Sequence, residues 1–181
     1  PDLAASRASL GLLLVQSGRP AAGEAMYRTA LATRRRLLGP EHPDVSRTLG
    51  LLGALLRRTG RLAEAESTYR EAIALGERSL GADHPDHAHA LSGLALTLRD
   101  RGDVATADTL LRHVLAVRRR VLGARHPAVA TSLAQLGALA LARGDRAAAE
   151  PLLRQALGIR RAVLGDSHPH TRETARALGE G

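Results

Sequence analysis

The chain has no cysteine, lysine, asparagine, phenylalanine or tryptophan, and only two tyrosines. Without cysteine there are no disulfides and no thiolate metal sites, and nothing points to an oxidising compartment. Without Phe and Trp the core must be built from Leu, Ala and Val, and nucleic-acid bases would find almost no ring to stack on. No apolar run reaches the roughly 18 residues that a membrane span needs, and the first residues lack the charged-then-apolar layout of a signal peptide. A soluble, cytoplasmic protein is expected. All 26 basic residues are Arg. Together with abundant Ala, Leu and Gly, this reads as a GC-rich coding bias and suggests a bacterial source.

What the chain does have is one phrase, Leu-Gly-x-x-His-Pro, at Leu38 to Pro43, Leu80 to Pro85, Leu122 to Pro127 and Leu164 to Pro169. Each copy begins 42 residues after the last. A fixed period of this length marks stacked repeats sharing one core. The expected organisation is one elongated array with units 1–42, 43–84, 85–126 and 127–168, and a partial or capping helix over 169–181. A first residue other than Met and an end inside a fifth unit are what a fragment of a longer protein would have.

Each unit carries two helix stops. Gly18, Gly60, Gly102 and Gly144 share one column, and Gly39, Gly81, Gly123 and Gly165 share another. Gly after a run of periodic apolar residues ends a helix by turning left-handed without a Cβ penalty. The first helix of each unit begins at its Pro, which suits the first helical position and holds the preceding His outside the helix. In the second unit Val45, Leu49, Leu52 and Leu56 form one face of that helix. The second helix runs from about Leu62 to Leu80, with Leu62, Ala65, Tyr69, Ala72 and Ile73 on one face. Asp103 and Asp145 are expected N-caps. Arg34 to Arg36, Arg118 to Arg120, and Arg160 with Arg161 lie near C-terminal ends, where cations meet the negative end of the macrodipole. Pro151 falls early in the fourth unit's second helix, where a slight kink or a late start is expected rather than a break.

The formal charge of +8 divides over the units as +3, 0, +3 and +2, with a neutral tail. Such spreading, with so few aromatics, argues against nucleic-acid binding. The four His before Pro are at least about 10 Å apart, one helix diameter, and cannot share an ion bound at about 2 Å. His84, His87 and His89 form the densest local cluster, but His87 and His89 are two apart on a helix and point away from each other. No metal site and no cofactor is expected. No nucleophile elbow or phosphate-cradling Gly-rich loop occurs, and carboxylates such as Glu64 and Glu66 sit on the expected outer helix with no cleft around them. The chain does not read as an enzyme.

Leu49, Leu52, Gly53, Leu56, Gly60, Ala65, Tyr69 and Ala72 together resemble the tetratricopeptide signature, in which large and small residues alternate so that two helices and the next unit pack closely. The usual period is about 34 residues; the longer unit and its Leu-Gly-x-x-His-Pro turn resemble the kinesin light chain class, which also occurs in bacterial signalling and scaffold proteins. The resemblance covers residues 1–168 and the tail. It implies an all-α, right-handed α-solenoid of stacked helix-turn-helix units, whose first helices line a concave groove for a peptide or partner helix. In that class an Asn pair before the third apolar residue of the first helix can bond the peptide backbone. Here the pairs are Ala8 and Ser9, Gly50 and Leu51, Ser92 and Gly93, Ala134 and Gln135, so that clamp is largely missing. The positions expected on the groove are Arg47, Arg57, Arg58, His89, Arg99, Asp100 and Gln135, with Leu12, Val15, Leu96 and Leu141 as nearby apolar surface.

Because Arg forks onto carboxylates, this set suggests a protein-interaction scaffold that holds an acidic, partly apolar segment. The alternative is a structural spacer or self-association module of a larger multidomain protein of bacterial signalling type. A protein or peptide partner is expected in either case, and neither reading fixes the oligomeric state.

Overall fold

The computed structural model describes residues 2–81 and 83–180, with only the backbone of Asp2. Contacts divide the chain into two compact units, the first ending at Gly102 and the second beginning at Asp103. The first holds α1 (Asp2–Gln16), α2 (Pro20–Leu38), α3 (Pro43–Arg58), α4 (Leu62–Leu80) and α5 (Pro85–Asp100). The second holds α6 (Val104–Leu122), α7 (Pro127–Ala142), α8 (Arg146–Leu164) and α9 (Pro169–Leu178). All regular structure among the described residues is helical. Neighbours in sequence pack on one another within each unit, and α3 also touches α1 and α5.

The punctuation read from sequence places these helices, and the structure supplies its atoms. His42, His84, His126 and His168 stand at extended φ/ψ before their Pro, and each Nδ1 accepts the backbone N–H two residues on, at 3.1 to 3.2 Å. The ring thus satisfies one of the four donors that a helix start leaves open. Asp103 and Asp145 cap α6 and α8 by accepting from the N–H of Thr106 and Ala148. At the end of α3, Gly60 has φ 78°, its N–H reaches the Arg57 carbonyl, and the Arg61 N–H reaches back to Leu56. This paired closure is the Schellman motif, and only glycine adopts its left-handed residue without strain. α8 runs unbroken through Pro151, since a proline this close to the start removes few intrahelical bonds.

The expected apolar stripes are the core. Val45, Leu49, Leu52 and Leu56 of α3 are buried together with Ala65, Tyr69 and Ala72 of α4. The Tyr69 ring lies between two first helices: a Cβ on Gly53 would stand 3.0 Å from it, and one on Gly93 only 2.3 Å. Burial pushes the Tyr69 phenol up to about 12, with the charge of Arg57 opposing.

Two sequence expectations need correction, and the arginines near the C-terminal ends carry contacts beyond the macrodipole. Of those arginines Arg34, Arg118 and Arg160 are buried. Arg34 donates to the Asp44 carbonyl and the Thr48 hydroxyl, Arg118 to the Ala128 carbonyl and Ser132, and Arg160 to the His170 carbonyl and Thr174. The acceptors lie 10 and 14 residues downstream in every case, so each guanidinium grips the first turns of the helix that follows. Glu66 is not on a solvated outer face but buried, paired with Arg70 and Arg101. Val15 belongs to the core beside Tyr27 and Leu52, not to an apolar surface, because Gly23 leaves no Cβ in its way.

α1 differs from its counterparts. Leu3, Leu10 and Leu13 are exposed, whereas the residues in their columns, Val45, Leu52 and Leu55 in α3 and Val129, Leu136 and Leu139 in α7, are buried. In α3 and α7 that face is covered by the preceding helix, α2 and α6 respectively.

Candidate functional site

In the first unit the open sides of α1, α3 and α5 carry two hollows. One, of about 240 Å3, lies between α1 and α3 over Ala5, Ala8, Ser9 and Leu12. The other, of about 250 Å3, lies between α3 and α5 over Ser46, Gly50, His89 and Ala90. Arg47 and Leu51 border both. Small residues make these hollows: Gly50 has open space where a Cβ would stand.

Ion pairs join α3 and α5 near both ends of the helices, and the first of them also borders the second hollow. At the N-terminal end of α3, Arg47 Nη1 lies 2.9 Å from Asp44 and its Nε 3.3 Å from Asp86 of α5. At the C-terminal end, Arg57 Nη1 lies 2.8 Å from Asp100 Oδ2, while Arg99 donates to the other oxygen at 2.7 and 3.0 Å. The two ends differ in balance. Arg47 faces two carboxylates, whereas Arg57 and Arg99 share one. Burial raises the Asp100 carboxyl, but the hydrogen bonds from Arg99 and Arg57 outweigh it and hold the group below the ordinary carboxylate range.

The fold thus places these residues on α3 and α5 in two groups, Arg47 with His89 beside the hollow and Arg57 with Arg99 and Asp100 at the C-terminal ends. His89 is exposed and borders the hollow, while His87, two residues before it, is buried, so the two rings face opposite ways. Arg58 points elsewhere: its charge falls on Tyr27 of α2, whose phenol burial raises and Arg58 lowers. Gln135 is half-buried on α7 in the second unit, and so is Leu141, which borders a cleft with Leu153 and Leu178. Leu12 is exposed in the first hollow and Leu96 half-buried on α5. Sequence reasoning missed Asp44 and Asp86, the residues that neutralise Arg47. Their signal was present, because the residue after His-Pro is Asp at 44 and 86 but Ala128 and His170 later in the chain.

A sequence profile described as tetratricopeptide repeat matches residues 2–78, 49–112 and 86–162. The chain belongs to the tetratricopeptide repeat family. It is also similar to solved structures of kinesin light chain type. One is BtubC (BKLC) from P. vanneervenii, at 25% identity over 94% of this chain and 68% of that one, with TM-score 0.81. Another is the putative kinesin light chain with nearly identical repeats from Podosopora anserina, at 24% identity over 96% and 82%, with TM-score 0.77; a substituted form of that protein gives TM-score 0.78 at the same identity and coverage. No curated protein matches the sequence. The fold class is therefore an α-solenoid of tetratricopeptide helix pairs, a family whose repeats generally serve as protein-interaction scaffolds. No helix among the described residues is long and apolar enough to cross a membrane.

Proposed function

We propose that this tetratricopeptide array is a non-catalytic protein-interaction scaffold that lays a partner segment over the open sides of α1, α3 and α5. Small or branched side chains of the partner enter the two hollows, and a partner carboxylate engages Arg57 and Arg99. The observation that carries this reading is the imbalance at Asp100, where two guanidiniums share one carboxylate. An incoming carboxylate completes the second pair, and charge-assisted forks of this kind are among the stronger polar contacts. Arg47, already faced by Asp44 and Asp86, gives register rather than attraction. Selection for acid is therefore local to one end of the groove.

Fluorescence anisotropy with a labelled peptide alternating Leu and Glu tests this. Arg57→Glu with Arg99→Glu should weaken binding at least about tenfold, about 1.4 kcal/mol, whereas Arg154→Glu on α8 should leave it unchanged. Equal affinity in the doubly reversed protein would sink the acidic-groove reading.

A second reading, self-association, is favoured by one observation: Leu3, Leu10 and Leu13 form an exposed apolar stripe along α1. Sedimentation of the wild type against Leu10→Glu with Leu13→Glu distinguishes the two, since a monomer at every concentration in both proteins would remove it.

A further inference from the structure

The second unit carries an apolar hollow of about 210 Å3 that plays no part in the groove reading. Its floor is Gly158, Ile159, Ala162 and Val163 of α8, and Arg125, in the turn between α6 and α7, stands at its rim. The repeat register explains why it is there. Arg36, Arg78 and Arg120 occupy one column, and its fourth member is Ala162. In the first unit Arg78 pairs with Glu41 at 3.2 Å. Two periods on, the column of Glu41 holds Arg125 and that of Arg78 holds Ala162. Both halves of the ion pair are thus replaced: the long side chain that would cover α8 is gone, and the anion has become a cation.

Two further details deepen the hollow and leave its cation available. Ala32, Ala74 and Ala116 share a column with Gly158, where the bare backbone has open space above it. Arg125 is exposed and makes no ion pair or side-chain hydrogen bond among the described residues. Asp166, near the end of the same helix, is held by Arg161 at 3.0 Å. Val163 of the floor is itself 51% exposed.

We propose that this hollow is a second binding site, taking a branched aliphatic side chain of a protein partner whose chain carries a carboxylate on the next residue. The aliphatic group lies over Ala162, the position that is Arg in the other three units, and the carboxylate forks onto Arg125. Charge complementarity selects an acidic segment over a basic one, and the hollow admits one side chain rather than a drug-sized ligand. The site lies wholly within the second unit and does not depend on Arg57 or Arg99.

The test is a titration of the 15N-labelled chain with a capped hexapeptide, Gly-Ser-Leu-Asp-Gly-Ser, followed by amide shifts. Shifts centred on Gly158, Ile159, Ala162 and Val163 should saturate at about millimolar peptide, the range expected of one side chain and one ion pair. Replacing Asp by Asn in the peptide, or Arg125→Glu in the protein, should weaken binding at least about tenfold. Ala162→Arg, which restores the residue of the other three units at an exposed position, should abolish it with the fold intact. Arg57→Glu with Arg99→Glu should change nothing. Absence of shifts at α8, or shifts indifferent to both Arg125→Glu and the Asn peptide, would overturn the proposal.

Discussion

Arg118 donates from Nη1 to the Ser132 hydroxyl across 2.7 Å, joining the last turns of α6 to the second turn of α7. Ser132 in turn donates to the Ala128 carbonyl, which Arg118 also reaches, so three groups close on one another inside the unit. No carboxylate lies within pairing distance of Arg118 among the described residues, and burial pulls its guanidinium below the ordinary range. A buried cation held only by neutral oxygens is costly to orphan. The repeat itself supplies a control. In the column of Arg118 the second unit has Gly76, and in the column of Ser132 the next first helix has Ala90: donor and acceptor are lost together.

Arg118→Ala and Ser132→Ala should therefore couple. We expect Arg118→Ala to cost about 2 kcal/mol and Ser132→Ala about 1 kcal/mol, with the double variant less destabilised than their sum by about 1 kcal/mol. Urea unfolding of the four proteins measures this, and strict additivity would refute the clamp.

How much of this was legible beforehand depended on whether the deciding contact was local. The helix bounds were legible because Pro43, Pro85 and Pro127 start helices, and Gly18, Gly60 and Gly144 stop them, within a few residues of backbone. Asp103 and Asp145 were legible as caps for the same reason. The burial of Arg34 and Arg118 was not, because the helix that covers each comes later in the chain, and the neighbouring Arg35 and Arg119 look identical in sequence yet are exposed. The groove was half legible. Its positions followed from the register, but the charge left on it depended on pairs spanning 39 residues, Arg47 with Asp86, and 43, Arg57 with Asp100.

Equivalent leucines should differ in their contribution to stability. Leu13 is 61% exposed on α1, while Leu55, one period on, is 2% exposed on α3. Leu55→Ala should cost about 2 to 5 kcal/mol and Leu13→Ala no more than about 0.5 kcal/mol, read as denaturation midpoints at matched protein concentration. A loss for Leu13→Ala comparable to that for Leu55→Ala would mean that its face is covered in solution.

Gly93→Ala should destabilise despite the better helix propensity of alanine, which favours it by about 1 kcal/mol. The added carbon would stand 2.3 Å from the Tyr69 ring, and Gly53 closes the other side at 3.0 Å, so the ring has little room to retreat. Overpacking of this kind costs about 1 to 3 kcal/mol, and an approach of 2.3 Å to a ring closed in on both sides lies at the upper end, leaving a net loss of up to about 2 kcal/mol. The later units hold Leu111 and Leu153 in the tyrosine column, so Tyr69→Leu in the Gly93→Ala background should recover part of it. Thermal melts decide this, and a stabilised Gly93→Ala protein would show that the ring moves freely.

Asp100 should make stability depend on pH in one direction. Its carboxyl is held below its ordinary value in the folded chain, so the folded state favours the charged form more than the unfolded state does. The contribution is fully present above the unfolded carboxylate pKa, about 3.9, and is lost as pH falls through the lowered folded value. Melting temperatures of the wild type and Asp100→Asn should thus differ most at neutral pH and converge once pH has fallen through the lowered folded value. Asp103 is lowered as well, by the hydroxyl and amide of Thr106, but it is common to both proteins and cancels in the difference. Added salt should shrink the gap at neutral pH, because the pair is partly open to solvent and screened. A difference that grew on acidification would reverse the sign assigned to the Arg57, Arg99 and Asp100 cluster, and with it the charge imbalance on which the acidic groove rests.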